Sequence, residues 1–189
     1  MISVPKKLTR LAYLALPLFA LAACSPEPAE EAATPDAETA EPMENATLDL
    51  QATGIIIPPQ NGFEQYDVPF GSMRAATEVT LANVLGEAIG QSEEPNDCGL
   101  DYTQYQGLTV NFSDGEFVGY WAESPYVPEL PRAEMLGDAG VQLSEDDAAL
   151  DDEFVIGDPQ GQAIGGVFTG GEDDAAVRAL WAGENCIAR

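Results

Sequence analysis

The stretch from Leu108 to Trp121 constrains the fold of this chain more than any other. Leu108-Thr-Val-Asn-Phe-Ser113 alternates apolar and polar residues, Asp114-Gly115 follows, and Glu116-Phe-Val-Gly-Tyr-Trp121 alternates again. A period of two places every second side chain on one face of a strand. Asp-Gly is a preferred two-residue connection because both positions of a type I′ turn need positive φ. A regular register about that turn pairs Phe112 with Phe117, Val110 with Gly119 and Leu108 with Trp121. It sends Trp121 to the core face and Tyr120 to the opposite one. An antiparallel sheet is therefore expected at the centre of the fold.

Other elements gather around this hairpin. Gly99–Tyr105 reads as a third strand. Leu48–Ile57 reads as another, ended by Pro58-Pro59. Ser72 is placed to cap a helix running to about Leu85, with Ala75, Val79, Ala82 and Leu85 on one face and Gly86 as its stop. Pro131 opens a short helix, Arg132–Leu136. Glu153–Ile156, Ala163–Thr169 and Ala176–Ala182 are strand candidates, the last with Val177, Ala179 and Trp181 alternating against Arg178 and Leu180. The expected class is α+β, an antiparallel sheet with one or two packed helices. Arg74-Ala75 precedes Trp121-Ala122 by 47 residues, and Arg132-Ala133 precedes Trp181-Ala182 by 49. A tandem helix-plus-sheet pseudo-repeat would give this spacing, and so would chance agreement of two dipeptides.

The amino-terminal region changes solvent preference at one residue. Lys6, Lys7 and Arg10 precede an apolar run, Leu11–Ala23, that Pro17 interrupts. The run is short of the about 20 apolar residues that a membrane-spanning helix needs and has the grammar of an export signal. Leu21-Ala-Ala-Cys24 resembles the lipobox of bacterial lipoproteins. That resemblance implies a diacylglyceryl group on the Cys24 sulfur, cleavage just before Cys24, and usually acylation of the new amine. The alternative is ordinary signal-peptidase cleavage after Ala20-Leu21-Ala22, which leaves Cys24 without a role. In enteric bacteria a residue other than aspartate after the cysteine, here Ser25, implies transfer to the outer membrane. Residues 25–47 carry seven acids, Pro26, Pro28, Pro35 and Pro42, and no base. Such a segment buries too little to offset its ordering entropy and reads as an extended acidic tether. The expected layout is a signal peptide over 1–23, a lipidated cysteine and tether over 24–47, and one domain over 48–189.

Charge and missing residue types narrow the chemistry. The net charge is −26. All 33 acids follow Ala23, against only Arg74, Arg132, Arg178 and Arg189, so the processed chain would carry −29. That field repels phosphate backbones, and nucleic acid is disfavoured as a partner. The chain has no histidine, and no lysine follows Lys7. Ser-His-Asp and Cys-His nucleophiles, Schiff-base chemistry, Walker A loops and histidine-based metal sites are thereby excluded from the processed chain. Carboxylate chemistry survives. Glu145-Asp146-Asp147, Asp151-Asp152-Glu153 and Glu172-Asp173-Asp174 are acidic clusters without an EF-hand loop, and read as solvated loops. No catalytic residue, cofactor or metal site is expected. With Cys24 lipidated, Cys98 and Cys186 are the remaining pair, expected as a disulfide in an oxidising compartment. A reactive thiol has no histidine or lysine to activate it. Tyr120, Trp121, Tyr126 and the segment Pro125–Pro131 offer an aromatic binding face, with Tyr120 and Tyr126 the open members.

Phe70-Gly71-Ser72, Cys98-Gly99, the run Gly107–Gly119 and the ending Ala179-Leu-Trp-Ala-Gly-x-x-Cys186-x-x-Arg189 resemble small exported or lipid-anchored proteins of alphaproteobacteria. Some members of that group carry an aspartate-semialdehyde dehydrogenase label. This chain has no Gly-x-Gly-x-x-Gly after a first strand to support it. In repeat layout alone the chain is similar to helix-plus-three-strand modules of beta-lactamase-inhibitor and outer-membrane-assembly lipoproteins. The expected function is a non-enzymatic binding or accessory role in the cell envelope. The anchor would hold the protein to the membrane, at the outer membrane facing the periplasm, with an envelope protein or cell-wall component as partner. The alternative is a carboxylate-dependent periplasmic hydrolase.

Overall fold

A computed structural model describes residues 46–92, 94–144 and 150–187. Cys24, the signal and tether segments up to residue 45, and the Glu145-Asp146-Asp147 cluster lie outside the described residues. The expected Leu48–Ile57 strand is two strands. A turn at Ala52-Thr53 folds β1 (Asp49–Gln51) onto β2 (Gly54–Ile57), and β3 (Tyr66–Pro69) completes a three-stranded sheet in the order β1-β2-β3. Gly54 forces the break: its φ is 149°, and a Cβ there would strike the Val68 carbonyl oxygen.

The chain continues as α1 (Arg74–Leu85), β4 (Gly90–Ser92), β5 (Asp101–Tyr105), β6 (Leu108–Ser113) and β7 (Glu116–Ala122). It then forms α2 (Arg132–Met135), β8 (Val141–Leu143), β9 (Glu153–Gly157), β10 (Ala163–Phe168) and β11 (Val177–Gly183). The last eight strands make one antiparallel sheet, ordered β4-β5-β6-β7-β11-β10-β9-β8. The molecule is thus a β-sheet domain and not the α+β domain expected from the sequence. Helices of 12 and 4 residues stand against eleven strands among the described residues. The short strands β3, β4 and β8 carry too few alternating residues to show in the sequence, and their neighbours in the ladder hold them extended.

The order of the large sheet reads the same from either edge. Each half is a helix followed by a four-stranded meander, and the halves meet where β7 pairs with β11. There Trp121 lies opposite Trp181, Leu180 opposite Ala122 and Ala182 opposite Tyr120. Arg74 and Arg132 open the two helices. Their backbone N–H groups donate to Gly115 O and Ala175 O, each at 2.8 Å. Their guanidinium groups lie 4.9 Å and 5.7 Å from the ring centres of Phe112 and Phe168. Each central hairpin also carries one extra residue on its second strand, Val118 in β7 and Arg178 in β11.

The bulge at Val118 overturns the regular hairpin register. Phe112 still opposes Phe117, but Asn111 opposes Gly119, Val110 opposes Tyr120 and Leu108 opposes Ala122. One extra residue exchanges the faces of all that follows. Tyr120 is therefore in the core at 0% exposure, and Trp121 is on the other side of the sheet, the reverse of the expected arrangement. The bulge is held by outside partners. Phe117 exchanges backbone hydrogen bonds with Gly71 and Ser72, and the Val118 carbonyl accepts the Glu184 N–H, all at 2.8 Å.

The buried stripe of α1 also differs from expectation. It is Thr77, Leu81 and Val84, whereas Val79 is 63% exposed. Of the expected stripe, Ala82 and Leu85 pack partly buried against the core while Ala75 is exposed. Leu81 and Val84 remove more apolar area from water than alanines do, and this decides the rotation of the helix. Ser72 does not cap it. Its hydroxyl donates to Pro69 O, and Met73 holds the N-cap position. Gly86 does end the helix, at φ 85°.

One face of the large sheet carries two hydrophobic clusters. The first joins Ile55, Ile57 and Val68 of the small sheet, Leu81 and Val84 of α1, and Tyr105, Leu108, Val110, Phe112, Phe117 and Tyr120. The second joins Met135 of α2 to Phe154, Phe168, Val177 and Leu180. Trp181, Ala179 and Val167 form a third on the opposite face, with Trp121, Leu150 and Ile187 against it.

Candidate functional site

Where α1 meets β5, the fold gathers charge around one guanidinium. Arg74 Nε donates to Glu78 Oε1 at 2.8 Å, and Nη1 lies 3.7 Å from Asp101 Oδ2. Arg74 Nη2 reaches Ser92 O at 3.1 Å and Thr103 Oγ1 at 3.3 Å, while the Thr103 hydroxyl donates to Glu78 Oε1 at 2.6 Å. The Tyr105 hydroxyl donates to the Glu78 carbonyl, and burial, aided by Glu78, pushes its pKa up to about 12. The two carboxylates share one cation instead of facing each other across a cleft. A glycoside-hydrolysing pair needs its carboxyls opposed at about 5–10 Å with the scissile bond between them, so this cluster reads as a brace between helix and sheet.

The two hydrophobic clusters leave an open cleft at their seam, with a volume of about 810 Å³. Leu50 and Ile164 pack against both clusters, and Leu85, Tyr126, Ile156 and Leu180 line the cleft with them. One wall is β1, an edge strand of the small sheet, and Ala46 and Thr47 stand at the same wall. Small-ligand and peptide sites occupy roughly 300–1,000 Å³ and are lined mainly by apolar groups with a few polar ones. Burial raises the pKa of Tyr126, so its hydroxyl stays neutral as a hydrogen-bonding group in the cleft. Tyr120 is withdrawn from any surface role. Its hydroxyl donates to Gln51 O at 3.0 Å, and burial, then the charge of Asp49, raise its pKa.

The aromatic residues singled out in the sequence are therefore divided. Tyr126 belongs to the cleft, Tyr120 to the core, and Trp121 to the opposite face. There Trp121 stacks on Trp181 with ring centres 5.1 Å apart and planes 7° from parallel. The sulfurs of Cys98 and Cys186 lie at bonding distance, with Cα atoms 5.6 Å apart across 88 residues. This pair holds the segment after β11 beside the loop that leads into β5. Asp151-Asp152-Glu153 and Glu172-Asp173-Asp174 gather no metal-holding group among the described residues. Sequence reading missed the cleft because its walls come from β1, the end of α1, the β5–β6 turn, the loop after β7, β9, β10 and β11. No local spacing signals a seam between segments that far apart.

The chain matches no family model, and no similar curated protein or solved structure was found.

Proposed function

We propose that this chain is a lipid-anchored protein of the cell envelope whose folded domain binds a partner and carries out no catalysis. The anchor rests on the sequence Leu21-Ala-Ala-Cys24, its basic flank and its acidic sequel. We place the protein at the outer membrane, facing the periplasm, on the residue after the cysteine. The observation that carries the binding role is the open cleft between the two hydrophobic clusters. It presents aliphatic walls, a neutral tyrosine hydroxyl and the outer edge of β1, on which no further strand is paired among the described residues. These features suit an extended, apolar segment of an envelope protein, which could add to β1 through main-chain hydrogen bonds. The strong negative charge of the domain favours a partner that is neutral or basic around that segment.

A photo-crosslinking residue at position 126, in the full chain in intact envelopes, tests the binding role. A single reproducible adduct from position 126, absent from a control at the exposed Tyr66 and lost in Leu50→Glu, supports it. Absence of any adduct, together with turnover of a glycan or peptide by the purified protein, overturns it. For the anchor, Cys24→Ser should move the protein from the membrane to the soluble fraction. Unchanged membrane association would remove that half of the reading.

A further inference from the structure

A second cavity, of about 380 Å³, opens on the face of the large sheet away from the cleft. Trp121, Thr109, Asn111, Arg178, Asn185 and Ile187 are among the residues that line it. Among the described residues its lining contains an arginine and no acid, in a chain with 33 acids and seven bases. Arg74 and Arg132 are committed to aromatic rings at the helix starts. Arg178 is exposed and has no ion-pair or hydrogen-bond partner among the described residues. The bulge that makes it the extra residue of β11 sets it beside this cavity.

Two neutral oxygens of the lining are also unpaired among the described residues. The Asn111 amide nitrogen donates to Glu184 O at 3.1 Å and Asn185 Oδ1 at 2.9 Å. That fixes the amide and leaves Asn111 Oδ1 without a donor among the described residues. The Thr109 hydroxyl is likewise unpaired among them. The indole in the lining is that of Trp121, which is half buried and stacks on the buried Trp181 behind it.

The other half of the sheet shows that the backbone alone does not demand these residues. By strand register the places of Thr109, Asn111 and Arg178 are taken there by Gly165, Val167 and Val118. The same frame thus carries three hydrogen-bonding side chains around one tryptophan and none around the other. The Cys98–Cys186 pair holds Asn185 and Ile187 in place as a wall.

We propose that this cavity binds a carboxylated saccharide. The guanidinium of Arg178 would take the carboxylate, Thr109 and Asn111 Oδ1 the ring hydroxyls, and Trp121 the apolar C–H face of the sugar. The volume lies within the roughly 300–1,000 Å³ of small-ligand sites. The charge of the whole chain opposes an anion at long range, but screening confines that effect to about 8 Å at physiological ionic strength. At the cavity the guanidinium of Arg178 is the one cation among the described lining residues. It stands against the carboxylates of Glu123, which accepts the Trp121 indole N–H at 3.1 Å, and Glu153, which accepts the Leu150 N–H at 3.4 Å.

Trp121 and Trp181 are the only tryptophans in the chain, so its intrinsic fluorescence reports this site. The full chain is titrated with digalacturonate and with neutral galactobiose, followed by fluorescence and calorimetry. Digalacturonate should bind saturably and at least about tenfold more tightly than galactobiose, the worth of one charge-assisted contact. Arg178→Gln should remove that preference while leaving the urea midpoint unchanged, because the side chain is exposed. Asn111→Asp, which sets a charge against the ligand, should abolish binding of the acidic sugar. Equal affinity for the two sugars, no binding by either method, or full binding by Arg178→Gln would overturn the proposal.

Discussion

Adjacent glycines in β10 show how single residues shape both faces of the sheet. A Cβ on Gly165 would strike the indole of Trp181, and one on Gly166 would strike the ring of Phe154. The missing side chains let an aromatic ring cross the strand on each side. Gly165→Ala and Gly166→Ala should each destabilise the domain by about 1–3 kcal/mol through overpacking, read from the urea midpoint. They should differ in spectrum. Gly165→Ala disturbs the stacked tryptophans and alters their emission, whereas Gly166→Ala acts on Phe154 and leaves emission unchanged. Buried phenols set a second expectation. Tyr105 has its pKa raised to about 12 in the folded protein, and Tyr120 is raised too, both chiefly by burial. Below the ordinary phenol value of about 10 both are neutral whether folded or unfolded, and their titration adds no pH dependence to stability. Above it the unfolded chain loses these protons while the folded chain keeps them, so stability falls as pH rises from about 10 through 12. Tyr105 alone should account for on the order of 2 kcal/mol, measured as a drop in urea midpoint that Tyr105→Phe reduces.

Elements were legible where their own residues carry the reason for them. Asp114-Gly115 and its flanking alternation fix the β6–β7 hairpin, and Gly86 fixes the end of α1. Faces were less legible. The Val118 bulge depends on Phe117 meeting Gly71 and Ser72 and on Glu184 meeting Val118, contacts between segments distant in sequence. Without them a regular register is the natural reading, and it places Tyr120 and Trp121 on the wrong sides. The cavity on the Trp121 face was hidden for the same reason. The rotation of α1 was misread because the alanine stripe matches helical spacing as well as the stripe that is buried. A pair of variants checks the observed rotation. Leu81→Ala, at 0% exposure, should cost about 2–5 kcal/mol, while Val79→Ala, at 63% exposure, should stay within about 0.5 kcal/mol. The reverse ranking would restore the face that the sequence suggests.

At the scale of the whole molecule, cross-linking and charge act on stability in opposite directions. The Cys98–Cys186 pair closes a loop across 88 residues, joining the end of the last strand to the lead-in of β5. On the chain-entropy account a closure of that length stabilises the folded state by about 4–5 kcal/mol, by removing freedom from the unfolded one. Against it stands self-repulsion in a chain of net charge −26, which folding concentrates into a smaller volume. Salt screens that repulsion and leaves the covalent loop untouched, so the two terms separate experimentally. In urea, which carries no charge, raising the salt from about 10 mM to about 500 mM shortens the screening length from roughly 30 Å to under 8 Å and should raise the unfolding midpoint. Reduction of the disulfide should lower the midpoint at both salt concentrations by the same free energy, because loop closure has no ionic part. A reduction penalty that vanished at high salt would mean that the cysteine pair acts by holding like charges together, and the entropic reading would fail.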